Sequence, residues 1–94
     1  MQSESQIEKA VSTHARKLGF YVRKFSSPNN RGVPDKLFIS PHGFVFFVEF
    51  KAPKKKPTDI QQDEINQIQK RNAVVFVIDD TSKGKTIIES TLLM

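Results

Sequence analysis

A chain of 94 residues buries one modest core and no more, and its eight Phe and few Gly and Pro argue for a folded α/β or α+β domain rather than disorder. Zero cysteines exclude disulfide staples and thiolate metal sites, no apolar run approaches the roughly 20 residues that span a bilayer, and MQSESQIEK lacks a signal-peptide core, so a cytoplasmic location without membrane contact is expected. A net charge of +5 and a pI near 9.7 suggest a polyanionic partner, most simply nucleic acid.

Ser3 followed by Gln6 matches a capping box, and Ile7, Val11, His14 or Ala15, and Leu18 recur at helical spacing. A first helix over 4–18 follows, with Gly19 as its C-terminal cap. FYVRKF (20–25) alternates and is rich in β-formers, hence a strand, and SSPNNRGVP (26–34) is a loop by composition. DKLFIS (35–40) and GFVFFVEFK (43–51) form two strands joined by the tight turn Pro41–His42–Gly43. Pro53 and Pro57 bracket APKKKPTD and forbid regular structure there. A second helix is expected over 59–71, capped by Thr58 or Asp59. The continuous apolar strand AVVFVIDD (73–80) then predicts cover on both faces. The tail TSKGKTIIESTLLM (81–94) reads as a turn and a short element packed on the sheet.

Side chains alternate across a strand, so Val45, Phe47, Glu49 and Lys51 share one face while Phe44, Phe46, Val48 and Phe50 share the other. The second face is wholly apolar and must pack on a helix. Glu49 and Lys51 emerge together, roughly 6.6 Å apart along the strand. Pairing across the turn brings Asp35 to the same end of the hairpin as Glu49. Two neighbouring carboxylates repel unless a cation sits between them. Oxygen ligands with no Cys and no clustered His favour Mg²⁺ or Mn²⁺ over zinc. Such an ion lowers the pKa of a bound water and stabilises charge on a phosphodiester, with Lys51 holding the water or the phosphate. The plainer alternative is a solvated Glu–Lys pair beside a turn-capping Asp.

Pro34–Asp35, placed fourteen residues before Glu49-Phe50-Lys51, resembles the PD-(D/E)xK nuclease signature, and the fuller string RGVPD…VEFKAP…Q resembles the VRR-NUC (virus-type replication-repair nuclease) branch of that superfamily. The expected order of helix, strand, hairpin, helix, strand (αβββαβ) is also the superfamily's core order. The resemblance implies one nuclease domain over 1–94 with a restriction-endonuclease-like α/β core, a mixed central sheet of about four strands flanked by helices. It further implies that Asp35 and Glu49 ligate the metal, that Lys51 serves catalysis, and that the backbone carbonyl of Phe50 completes the metal shell. The family's acidic residue early in its first helix, followed by a Gly about four turns on, fits Glu4 in ESQI with Gly19, which the resemblance implies acts on the ion through water; Glu8, one turn later, is the alternative. The family's Gln, about twelve residues after the strand Glu, is Gln61, with Gln62 competing. Independently of the family, Gln61, Ile65, Ile68 and Asn72 form one stripe, so Gln61 heads the core-facing side and its amide needs a partner. Asn72 stands where the family often has Gly, and Asn tolerates a left-handed cap.

Ser26, Ser27, Asn29, Asn30 and Arg31 form a polar loop directly before Asp35, within reach of phosphates. Lys54, Lys55 and Lys56 follow the catalytic strand in a Pro-stiffened loop suited to salt-dependent phosphate neutralisation. His14 and His42 read as surface or helix-packing residues, and the Phe side chains as core. The resemblance thus implies a Mg²⁺- or Mn²⁺-dependent DNA endonuclease with no organic cofactor. Stand-alone members resemble Holliday-junction resolvases, which implies a homodimer acting on branched or four-way DNA in repair, encoded by a virus or a cell, with the tail IIESTLLM as a contributor to the interface. The rival expectations are a flap-cutting or restriction-type nuclease with the same chemistry, and a non-catalytic basic DNA-binding module.

Overall fold

The computed structural model describes residues 1–94 as α1 (Glu4–Lys17), β1 (Tyr21–Lys24), β2 (Lys36–Ile39), β3 (Val45–Phe50), α2 (Asp59–Gln69), β4 (Val74–Ile78) and α3 (Thr81–Thr91). The strands form one mixed sheet in the order β1-β2-β3-β4, antiparallel up to β3 and parallel between β3 and β4. The expected α/β architecture and element order are present, extended by a third helix. No helix is long and apolar enough to cross a membrane.

The capping box at Ser3 forms as its spacing requires: Ser3 Oγ accepts from the Gln6 N–H at 3.2 Å, and Gln6 Oε1 accepts from the Ser3 N–H at 2.8 Å. The helix ends at Lys17 with Leu18 as cap residue, and Gly19 turns the chain at φ +90°. Ile7, Val11 and Ala15 present a fully buried stripe to the sheet face that carries Val22, Phe38, Phe46, Val48 and Phe50. Phe38 and Phe46 stack at 5.2 Å in its centre. This is the wholly apolar face of the hairpin, and α1 and α3 cover it. Each Phe buried there contributes about 1.5–3 kcal/mol relative to exposure.

Two expectations require correction. The tail is an 11-residue helix, not a turn with a short element. Asp80 caps α3 by accepting from the Lys83 N–H at 2.8 Å. A Cβ on Gly84 would lie 2.7 Å from Val11 Cγ2 and 2.8 Å from Ile78 Cγ2, so this glycine lets α3 settle directly on α1 and β4. Ile88 and Thr91 are buried and only Leu93 and Met94 stand fully outside, so most of the apolar tail is consumed by the chain's own core. The second correction concerns β4, which is an edge strand. Helices lie against both of its faces, α3 on one and α2 on the other, but α2 covers Val75 and leaves Val77 40% exposed.

On the opposite face of the sheet, α2 packs against β4, and Ile65 of the helix and Val75 of the strand are both buried. Asn72 adopts φ +65° just beyond the helix, the left-handed position its side chain tolerates. The 26–34 loop lies against the first turn of α2 through Gly32, at φ +87°, where a Cβ would meet Ile60 Cγ2 at 2.7 Å and the Ile60 carbonyl oxygen at 2.9 Å. Gly32→Ala is therefore expected to cost about 1–3 kcal/mol, seen as a lower urea midpoint at constant m. An unshifted midpoint would mean the loop does not rest on α2.

Candidate active site

Three structural features converge at the C-terminal end of β3. The β2–β3 register pairs Lys36 with Val48, which puts Asp35 beside Glu49. Asp35 bridges the strands: its backbone carbonyl accepts from the Phe25 N–H at 2.8 Å, and its Oδ2 accepts from the Phe50 N–H at 3.0 Å. From α2, Gln61 Nε2 donates to Glu49 Oε2 at 3.3 Å, and Lys51 Nζ lies 3.6 Å from the same oxygen. Asp35, Glu49, Lys51 and Gln61, separated by up to 26 positions in the chain, thus form one cluster.

Glu49 is no solvated strand-end residue. It is 1% exposed, and its Oε1 is buried without any hydrogen-bond partner. Burial is the largest cause pushing its pKa up from 4.5 to about 7; the neighbouring Asp35 and, more weakly, Glu4 push the same way, and Lys51 opposes them. A buried carboxyl with one unsatisfied oxygen beside a second carboxylate suits a hard divalent cation, which would satisfy that oxygen and relieve the repulsion. The donor set therefore fits the expected ion. No three His, Cys, Asp or Glu residues converge at ligating spacing, so Glu4 does not close a three-carboxylate cluster with Asp35 and Glu49.

Glu4 and Glu8 both line a cleft of ≈ 300 Å³ with Lys24, Phe25 and Asp35. Only Glu4 acts on the charge of Glu49, while Glu8 is paired with Lys36 at 3.4 Å, which favours Glu4 of the two. The amides separate more sharply. Gln61 completes the α2 capping box through Oε1, accepting from the Thr58 N–H at 3.0 Å, and turns its Nε2 to Glu49. Gln62 points away and bonds Asn66. Gln61→Ala is expected to lower cleavage about tenfold and stability by about 1 kcal/mol, with Gln62→Ala within about 0.5 kcal/mol and fully active. Equal effects of the two in a nuclease assay and a urea titration would refute the distinction.

The other candidates lie around this centre. Asn30 Nδ2 donates to Ser27 Oγ at 2.8 Å, so part of the polar loop is spent on its own turn. Asn29, Asn30 and Arg31 border a surface hollow with Ile60, Asp63 and Glu64, a mixed-charge setting less suited to phosphate than composition implies. Ser26 is exposed. Lys54, Lys55 and Lys56 are exposed and outside all three ion pairs of the chain. Their backbone is pinned: Lys54, at φ +65°, donates its N–H to Asp79 Oδ2 at 3.1 Å. His14 Nε2 meets Glu89 Oε2 at 2.8 Å between α1 and α3, and His42 sits exposed in the hairpin turn. Lys24 lines the same cleft as Asp35 and Lys36 the neighbouring hollow, two cations that no sequence motif marks.

No protein-family model matches the chain. A curated phage protein named "Putative nuclease p44", from Acyrthosiphon pisum secondary endosymbiont phage 1, is 43% identical over 76 residues, covering 81% of this chain and 82% of that protein. A solved structure described as "VRR_NUC domain" superposes with a TM-score of 0.86 at 34% identity, covering 95% of this chain and 97% of the other. With the fold, the spacing of Asp35, Glu49 and Lys51 and these two likenesses in agreement, the chain belongs to the VRR-NUC family of nucleases.

Proposed function

We propose that residues 1–94 act as one metal-dependent DNA endonuclease domain, hydrolysing phosphodiester bonds of branched DNA as a homodimer inside the cell. The observation that carries the reading is Glu49: a buried carboxyl with an unpartnered oxygen, beside Asp35, Lys51 and Gln61. Asp35 and Glu49, with the Phe50 carbonyl and Glu4 through water, would hold the ion. A bound Mg²⁺ or Mn²⁺ would supply Lewis acidity and a water of lowered pKa. The chain's own groups do the rest. The Phe50 N–H fixes Asp35, Gln61 fixes Glu49, and Lys51 sets a positive charge where charge on the phosphate develops. Hydrolysis joins a water oxygen to phosphorus and breaks one P–O ester bond, the leaving oxygen taking a proton.

The four-way junction and the dimer rest on the family resemblance. The apolar row Tyr21, Ile39 and Val45 across β1, β2 and β3, with Tyr21 49% and Val45 47% exposed, offers a self-association surface beside the exposed Leu93 and Met94 of the tail. End-labelled four-way, flap and linear duplexes separate the substrates: paired nicks in the junction are expected, and preferential flap or linear cutting would replace the resolvase reading. Sedimentation at micromolar concentration is expected to give a dimer, and a monomer on DNA would exclude paired cutting.

A further inference from the structure

The cleft at Asp35 continues along α1. It shares Glu8 with a second hollow of ≈ 240 Å³ on the flank of that helix, lined wholly by polar residues: Ser5, Glu8, Lys9, Ser12, Arg16 and Lys36. Three cations face one carboxylate there, and Lys36 alone has a partner, Glu8. Lys24, on the rim of the cleft, is the direct cross-strand partner of Lys36. Like charges placed opposite each other destabilise a sheet unless an anion lies between them, and Glu8 answers only one of the two. A third observation is independent of charge. Ser12 is 3% exposed and its Oγ has no hydrogen-bond partner, whereas a helical serine ordinarily bonds the carbonyl one turn back.

We propose that this hollow is a phosphate subsite, seating the nucleic-acid backbone next to the scissile phosphodiester through Lys9, Arg16, Lys24, Lys36 and the Ser12 hydroxyl. The assignment rests on the nuclease reading for its ligand, and on this flank of α1 for its geometry. Lys9 and Arg16 are seven residues apart, about 10 Å along the helix, which matches about three phosphate-to-phosphate steps along the axis of one strand. Ser12 lines the hollow that carries the surplus charge, and rotation about its χ1 would bring the enclosed hydroxyl to a phosphate seated there. Glu8 shares Lys36 with the incoming strand and keeps that ammonium oriented when no strand is present.

The test is duplex binding by fluorescence anisotropy across a salt series, in the Glu49→Gln background so that no turnover is needed. Lys9→Gln/Arg16→Gln is expected to weaken binding at least about tenfold near 0.1 M salt and to flatten the log K against log salt slope by about one to two. Ser12→Ala is expected to weaken binding about threefold at unchanged slope, an effect that diffuse electrostatics would not produce. The control pair Lys70→Gln/Lys83→Gln, exposed residues away from the hollow, should leave the slope within about 0.5 of the parent. If Lys9→Gln/Arg16→Gln lost no more than this control, the subsite would be overturned, whether or not the wild-type chain cuts DNA. Failure of cleavage with these binding differences intact would remove the catalytic reading and leave the subsite standing.

Discussion

Glu49→Gln is expected to make the chain more stable and inactive at once. In metal-free buffer at pH 8 the wild-type side chain is ionised, 1% exposed and beside Asp35, and its pKa raised to about 7 means the fold disfavours the charged form even with Lys51 counted. An amide of nearly the same shape removes that penalty. The gain is on the order of 1–3 kcal/mol by linkage, seen as a higher melting temperature. Cleavage should fall at least about 10²–10³-fold, because the side chain proposed to hold the ion, and paired with the Lys51 ammonium, is gone, while DNA binding stays near normal. A mutant that is both less stable and fully active would show that Glu49 is an ordinary buried residue.

The second large effect links proton, metal and stability. Glu49 has a raised folded-state pKa, so its contribution is fully present below 4.5, where folded and unfolded chains both carry the proton. Between 4.5 and about 7 the unfolded chain releases that proton first, and stability falls as pH rises through this window, levelling above it. Other carboxylates titrate lower, so the clean readout is the difference between wild type and Glu49→Gln, which should widen from pH 5 to pH 8 in the presence of chelator. Divalent cation should then close it. At tenfold excess over its Kd, Mg²⁺ or Mn²⁺ would add ~1.4 kcal/mol, a rise in Tm of about 6–11 °C for wild type and none for Glu49→Gln. A metal-induced shift of equal size in both proteins would move the binding site elsewhere.

Much of this centre is legible in sequence because its determinants are periodic. Strand alternation sets Glu49 and Lys51 on one face, and a one-residue slip would bury Lys51 in the Phe core, so the hairpin register has no alternative. Helical spacing similarly turns Gln61 inward and Gln62 outward. What local pattern does not encode is non-local packing. Gly84 in TSKGKT reads as turn punctuation, and its service as a close-contact residue against Val11 and Ile78 exists only once α1 and β4 are in place. Composition identifies 26–34 as a loop, but not that it rests on Ile60 and borders Asp63 and Glu64. Nor does any spacing announce the Lys24–Lys36 pair, which requires the β1–β2 register. The burial of Glu49 belongs to the same class: an alternating strand marks its face, while α2 and Lys51 enclose it.

The most direct measurement is cleavage of an end-labelled four-way junction by chelator-treated protein, before and after Mg²⁺ or Mn²⁺ is restored, with Glu49→Gln in parallel. Cutting by the wild-type chain only when the ion is restored, and none by Glu49→Gln under any condition, is the result predicted here. Cutting that persists in chelator, or that survives the loss of the Glu49 carboxylate, would contradict a metal centre built on Asp35 and Glu49.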